Sequence, residues 1–150
     1  NKIKKYLKGR LMKYFHDLLN QVPDDLPDRH TSAKPATFAG EKVTVAVVRK
    51  ALGSGSQPHR HPNVEQFNYV LEGRLRALVE DEQIEIGPGA LVYIPANALH
   101  QTVAIGDTDC IYFMAKDAQS DKSLGIMGIP DREGANTPHY DPGFEPDAKK

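Results

Sequence analysis

His59 and His61 stand two residues apart, and His100 follows about forty residues later. Side chains two apart on an extended strand project to one face, so the first pair presents both imidazoles together. A third imidazole brought back by a later strand would complete a trio of neutral nitrogen donors, suited to zinc, nickel, iron or manganese. The same spacing also occurs on solvated strand edges, so the pair alone only nominates a site. Cys110 is the single cysteine, which rules out an internal disulfide and a thiolate cluster. Within its apolar run it reads as a buried structural thiol rather than a nucleophile. Neither a phosphate-cradling glycine loop nor a nucleophile elbow is present.

Bringing distant histidines together needs strands, and the chain is patterned for them. Residues 43–48 are a β-branched run, and residues 66–71 and 74–79 flank the tight turn Glu72-Gly73. Ile84 and Ile86 alternate with acids, residues 91–94 form a short apolar strand, and residues 100–105 and 110–115 complete the series. Gly53-Ser54-Gly55-Ser56 reads as a break, and residues 22–35 read as an irregular connector because Pro23, Pro27 and Pro35 interrupt any period. Short strands at even spacing without helices between them predict an all-β antiparallel sandwich or barrel and exclude a βαβ fold. With no internal repeat, a single barrel is expected.

The chain has 150 residues, enough for one domain, and 39% hydrophobic with 26% charged residues fits a folded protein rather than a disordered one. Its net charge of -1 argues against a nucleic-acid-coating role, and no apolar run is long enough for membrane insertion. A cytoplasmic setting is the expectation. Residues 1–13 carry six basic side chains and no acid, while Ile3, Leu7, Leu11, Phe15 and Leu18 recur at helical spacing. That pattern predicts an N-terminal helical arm, packed on its own domain or on a sister subunit. The division expected is an arm and linker over 1–35, a barrel over 36–116 and an extended tail over 117–150.

The motifs around the histidines resemble those of the cupin superfamily. Gly53, five residues and His59-Arg60-His61 precede an acid or amide and then Gly73, as in the family's first motif. Gly89, Pro95 and His100 keep the spacing of its second motif, with Asn97 where that motif has a glycine and Ala104 where it has an asparagine. The resemblance spans 53–104 and, with the strand pattern, about 40–115. It implies a single-domain double-stranded β-helix, a jelly-roll barrel, with one divalent metal ion (Zn, Ni, Fe or Mn). Its fourth ligand is usually a glutamate separated from the turn glycine by six intervening residues, a position held here by Gln66, with Glu65 one residue early. A one-residue shift on a strand reverses the face, so the turn register favours Gln66 unless a bulge near Pro62-Asn63 turns Glu65 inward.

The set His59, His61, Gln66 and His100 is similar to that of cupins that open the ring of unsaturated uronic acids, and to cupin polyketide cyclases with glutamine in the metal shell. The resemblance implies a metal-dependent enzyme acting on an oxygenated acid or sugar acid by isomerisation, ring opening or elimination. An Fe(II)-dependent dioxygenase and a non-catalytic ligand-binding module are the alternatives. Asn68 shares the parity of Gln66 and is expected to orient a substrate or a ligand. Arg76 is expected either to grip a substrate carboxylate or to lie on a solvated strand face. Arg60 should face away from its histidine neighbours, and Phe67, Tyr69, Tyr93, Tyr112 and Phe113 read as core. His139 and Tyr140 are read as part of a packing tail or a lid, His16 and His30 as surface. The partners expected are a small molecule and a second copy in a homodimer.

Overall fold

A computed structural model describes residues 14–26, 32–61, 64–117 and 137–146. The elements in order are β1 (Ala33–Ala39), β2 (Val43–Lys50), β3 (Ser54–Ser56), β4 (Gln66–Glu72), β5 (Arg74–Val79), β6 (Glu82–Ile86), β7 (Leu91–Ile94), β8 (His100–Ile105), β9 (Cys110–Asp117) and β10 (Pro138–Tyr140). They form two antiparallel five-stranded sheets, ordered β1-β2-β9-β4-β7 and β10-β3-β8-β5-β6. Consecutive strands repeatedly change sheets, as in a jelly roll. Ala46, Val48, Val70, Cys110, Tyr112 and Met114 from the first sheet meet Leu75 and Ala104 from the second in one buried cluster, so the sheets pack face to face.

Three strands depart from the sequence reading. Residues 33–35, placed in the connector, open β1, where Pro35 pairs opposite Val48. β1 is an edge strand, which is where a residue without an amide hydrogen can stand. The Gly-Ser run at 53–56 contains β3 rather than a break. A Cβ at Gly55 would stand 2.3 Å from the Thr102 carbonyl oxygen, so small side chains let this strand lie tightly on β8. His139 and Tyr140, with Pro138, form β10, which pairs with β3.

The helical arm is not found where the structure describes it, and among the described residues there is no helix. Residues 14–21 instead carry a bend and a turn in which the Asp17 carboxylate accepts from the Asn20 amide at 2.9 Å and its backbone carbonyl from the Asn20 N–H at 3.2 Å. A side chain bonded locally in this way competes with helical pairing. Arg49 donates to the Leu19 carbonyl at 2.8 Å and His16 lies against Phe38, tying the segment to the outside of the first sheet. Residues 1–13, which hold most of the expected arm, and His30 lie outside the described residues. No helix among the described residues is long and apolar enough to cross a membrane.

Candidate metal centre

Three rings converge inside the barrel. His59 and His100 face each other through a pair of backbone hydrogen bonds, 3.0 Å from the His59 N–H and 2.9 Å from the His100 N–H. His61 is placed from the other side, because its carbonyl accepts from the Asn97 N–H at 2.7 Å. Asn97 has φ 64°, a left-handed conformation that asparagine adopts more readily than most residues, which accounts for it standing where the motif has glycine. The ring centroids are 4.3 to 4.9 Å apart, and one donor nitrogen from each ring lies within 4.8 Å of the others. Two nitrogens bound to one zinc at about 2.1 Å stand roughly 3 to 4 Å apart, so the spacing suits a shared ion.

Backbone carbonyls set the tautomers. His59 Nδ1 lies 2.7 Å from the Gln57 carbonyl and His100 Nδ1 lies 3.0 Å from that of Ala98. A carbonyl only accepts, so both Nδ1 atoms carry hydrogen and both Nε2 atoms keep a free lone pair. Burial holds all three histidines below the usual imidazole range, His100 at about 4, with the neighbouring imidazoles adding to the effect at His61 and His100. Neutral rings are the form that binds a metal.

Gln66 and Asn68 are buried on β4, whereas Glu65 is exposed and accepts a hydrogen bond from Tyr93 Oη at 2.9 Å. The bulge that would have turned Glu65 inward falls on Pro62 and Asn63, outside the described residues, but the side chain itself faces out. Gln66 donates from Nε2 to Asn68 Oδ1 at 2.9 Å. Gln66 Oε1 and both His61 nitrogens are then left buried without a hydrogen-bond partner. Asn68 thus fixes the Gln66 amide, turning its Oε1 away from the Asn68 side chain. Ile94 and Val92, both buried, pair with Gln66 and Asn68 on one side, and buried Lys116 and Met114 pair with them on the other.

Arg76 is not brought to the histidines. It alternates with buried Leu75 and Ala77 on β5 and so faces away from the interior. There it forms a two-pronged ion pair with Asp141, at 2.7 and 3.2 Å, and Asp141 also lies 3.1 Å from His139 Nε2. A substrate-gripping role for Arg76 is thus set aside: its fork is already filled by a carboxylate from beyond β10. Arg60 faces out, as parity required, and bonds Glu80 and the Asn97 carbonyl. Of the aromatics expected in the core, only Tyr112 is buried; Tyr69, Tyr93 and Phe113 are exposed on the outer face and Phe67 is half-buried there against Tyr93.

Two interior cations escaped the sequence reading. Lys50 and Lys116 are buried, and Thr102 lies beside Lys50. Strand parity could have found both: Lys50 continues the inward row Ala46, Val48, and Lys116 continues Cys110, Tyr112, Met114. Burial lowers each lysine to about 8.

The comparisons agree with this architecture. Residues 46–116, most of the barrel, match the Cupin domain family, Cupin_2. An uncharacterized protein of Methanocaldococcus jannaschii is 32% identical over 73 residues, 49% of this chain and 58% of that protein. The chain spans 58% and 55% of the lengths of the curated relatives it matches. Among solved structures, KdgF from a Halomonas species is similar with a TM-score of 0.62 at 20% identity, covering 75% of this chain and 99% of that one. Oxalate decarboxylase from Bacillus subtilis is similar over 65% of this chain and 28% of its own, with a TM-score of 0.54 at 21% identity. At these identities the likeness is one of fold.

Proposed function

We propose that the protein is a metal-dependent small-molecule enzyme of cupin type, holding one divalent ion on His59, His61, His100 and Gln66. Its substrate in this reading is an oxygenated acid or sugar acid, changed by isomerisation, ring opening or elimination. The observation that carries it is the set of buried, unpartnered donors: Gln66 Oε1 and both nitrogens of His61. Leaving one such group unsatisfied costs roughly 1–3 kcal/mol, and a coordinated cation offsets that cost. No carboxylate is among the buried residues in the described part of the chain, so the donors are neutral. A divalent ion on neutral donors supplies strong Lewis-acid polarisation of a carboxylate or hydroxyketone oxygen.

The chain's own part is to hold that constellation. Gln57 and Ala98 fix two imidazole tautomers, Asn68 fixes the amide, and Val92 and Ile94 give it an apolar wall on the β7 side. The likeness to KdgF over nearly all of that chain supports a small single-barrel enzyme. The test is turnover of unsaturated uronates by protein of measured metal content, with His100→Ala as the control. Metal-loaded protein that neither converts nor binds these acids would sink the uronate version, and oxygen uptake with Fe(II) would redirect the reading to a dioxygenase. A homodimer belongs to the same proposal, supported by the outer face of the first sheet, where Tyr69, Leu91, Tyr93 and Phe113 are exposed. Light scattering measures it.

A further inference from the structure

Lys50 is 3% exposed, at the end of β2, and points into the barrel. Its Nζ donates to the Thr102 carbonyl at 2.9 Å and to Thr102 Oγ1 at 2.7 Å. An ammonium has three N–H bonds, so one remains to be used. The Tyr112 ring lies 5.6 Å away and Cys110 pairs with Lys50 across the sheet, yet no carboxylate among the described residues forms an ion pair with it. A buried charge held only by neutral groups is destabilising, since its desolvation is not matched by an opposite charge. Proteins that keep such a group commonly use it.

Its position says for what. Thr102 stands two residues after His100 on β8 and shares its inward face, so the ammonium that Thr102 holds lies on the same side of the strand as the His100 ring. Residues two apart on a strand are about 7 Å apart, which sets the scale between the ammonium and the histidine trio. Resting on the metal-site reading above, we infer that Lys50 is an anion anchor: it receives a carboxylate of the ligand while other oxygens of the same molecule reach the histidines. The ligand class this fits is a hydroxy or oxo acid of about four to six carbons, a sugar acid included, whose carboxylate is separated from its metal-facing oxygens. The anchor complements the Arg76 result: the carboxylate partner sought on the strand after the turn is found inside the barrel on β2.

The test uses nickel-loaded protein with galacturonate and its uncharged counterpart galactose as probes, read by calorimetry. Lys50→Met and Lys50→Gln are compared with wild type, the glutamine keeping a donor toward Thr102 without the charge, and Lys50→Arg tests rescue of charge. The expected result is that Met and Gln variants lose roughly ten- to a hundredfold in galacturonate affinity, as for a charge-assisted hydrogen bond, while nickel affinity stays within about twofold. Preference for galacturonate over galactose should disappear in both and persist in part in Lys50→Arg. Unchanged galacturonate affinity in Lys50→Gln, or nickel-loaded wild type that does not prefer galacturonate over galactose, overturns the anchor while leaving the metal site standing. Wild type that takes up no nickel, or takes it up equally as His100→Ala, overturns the metal-site reading instead.

Discussion

The barrel interior has two halves built from the same strands. β4 enters it as Gln66 and Asn68 and continues as Val70; β8 enters as His100 and Thr102 and continues as Ala104. The apolar half, with Leu75, Ala104, Cys110 and Tyr112, is closed mainly by van der Waals contact, Tyr112 also bonding Thr102 at its border with the polar half, and gains stability from every buried methylene. The polar half keeps neutral imidazoles, an unpartnered amide oxygen and a buried ammonium, each of which costs stability in the absence of a ligand. One strand geometry thus serves both ends. What differs is only the chemistry of the side chain placed on each inward step.

The comparison breaks most visibly by emptying the apolar half. Leu75→Ala should lower stability by about 2–5 kcal/mol in urea unfolding, with metal stoichiometry of the folded protein unchanged. Loss of metal in step with stability would mean the halves are not separable. His100→Ala should do the opposite: metal affinity falls more than roughly 100-fold in a chelator competition, while the metal-free protein unfolds at a similar urea concentration.

Mild acid, between pH 7 and pH 5, should act mainly on the polar half. The His100 value is about 4 in the folded protein against an ordinary 6.5, and that of His61 is lower still. Between the two values the unfolded chain binds more protons than the folded one, so stability falls as pH falls. Metal-free protein should therefore be fully supported by these groups above about pH 6.5 and lose that support progressively below it, down to about pH 4 for His100 and lower still for His61, as urea midpoints at pH 7 and pH 5 would record. A flat profile would contradict the burial of neutral imidazoles.

Smaller effects sharpen the picture. Gln66→Ala should weaken metal binding by roughly tenfold, an order expected for an outer or weak ligand; unchanged affinity would leave a three-histidine site. Asn97→Ala should cost about 1 kcal/mol through its left-handed backbone, while Asn97→Gly should be neutral or slightly stabilising, measured by thermal unfolding.

Much of this was legible in the residues. Alternation and turn glycines gave the strands from residue 43 to 115, and Gly73 shows why such turns are readable: at φ 72° a Cβ would lie 2.3 Å from the Asp109 carbonyl oxygen, so the position is glycine by steric need. The three histidines were legible from spacing. β1, β3 and β10 were not, because proline on an edge and glycine against a neighbouring strand carry the composition of loops while tertiary pairing makes them strands. The other aromatics of β4, β7 and β9, Tyr112 apart, were misplaced for a related reason: hydrophobic character alone does not say which side of a sheet it occupies.

Sequence by itself determined the relative face of each residue within a strand, since side chains alternate with a fixed period, and it determined which residues could supply donors. It thereby paired His59 with His61 and Gln66 with Asn68, and set Glu65 and Arg60 opposite them. Only the closed pair of sheets decided which of those faces is the interior, that Arg76 is taken up by Asp141, and that Lys50 ends beside Thr102. The reason is physical: a strand's parity is local, whereas inside and outside, and the neighbours across a sheet, exist only once distant segments have paired.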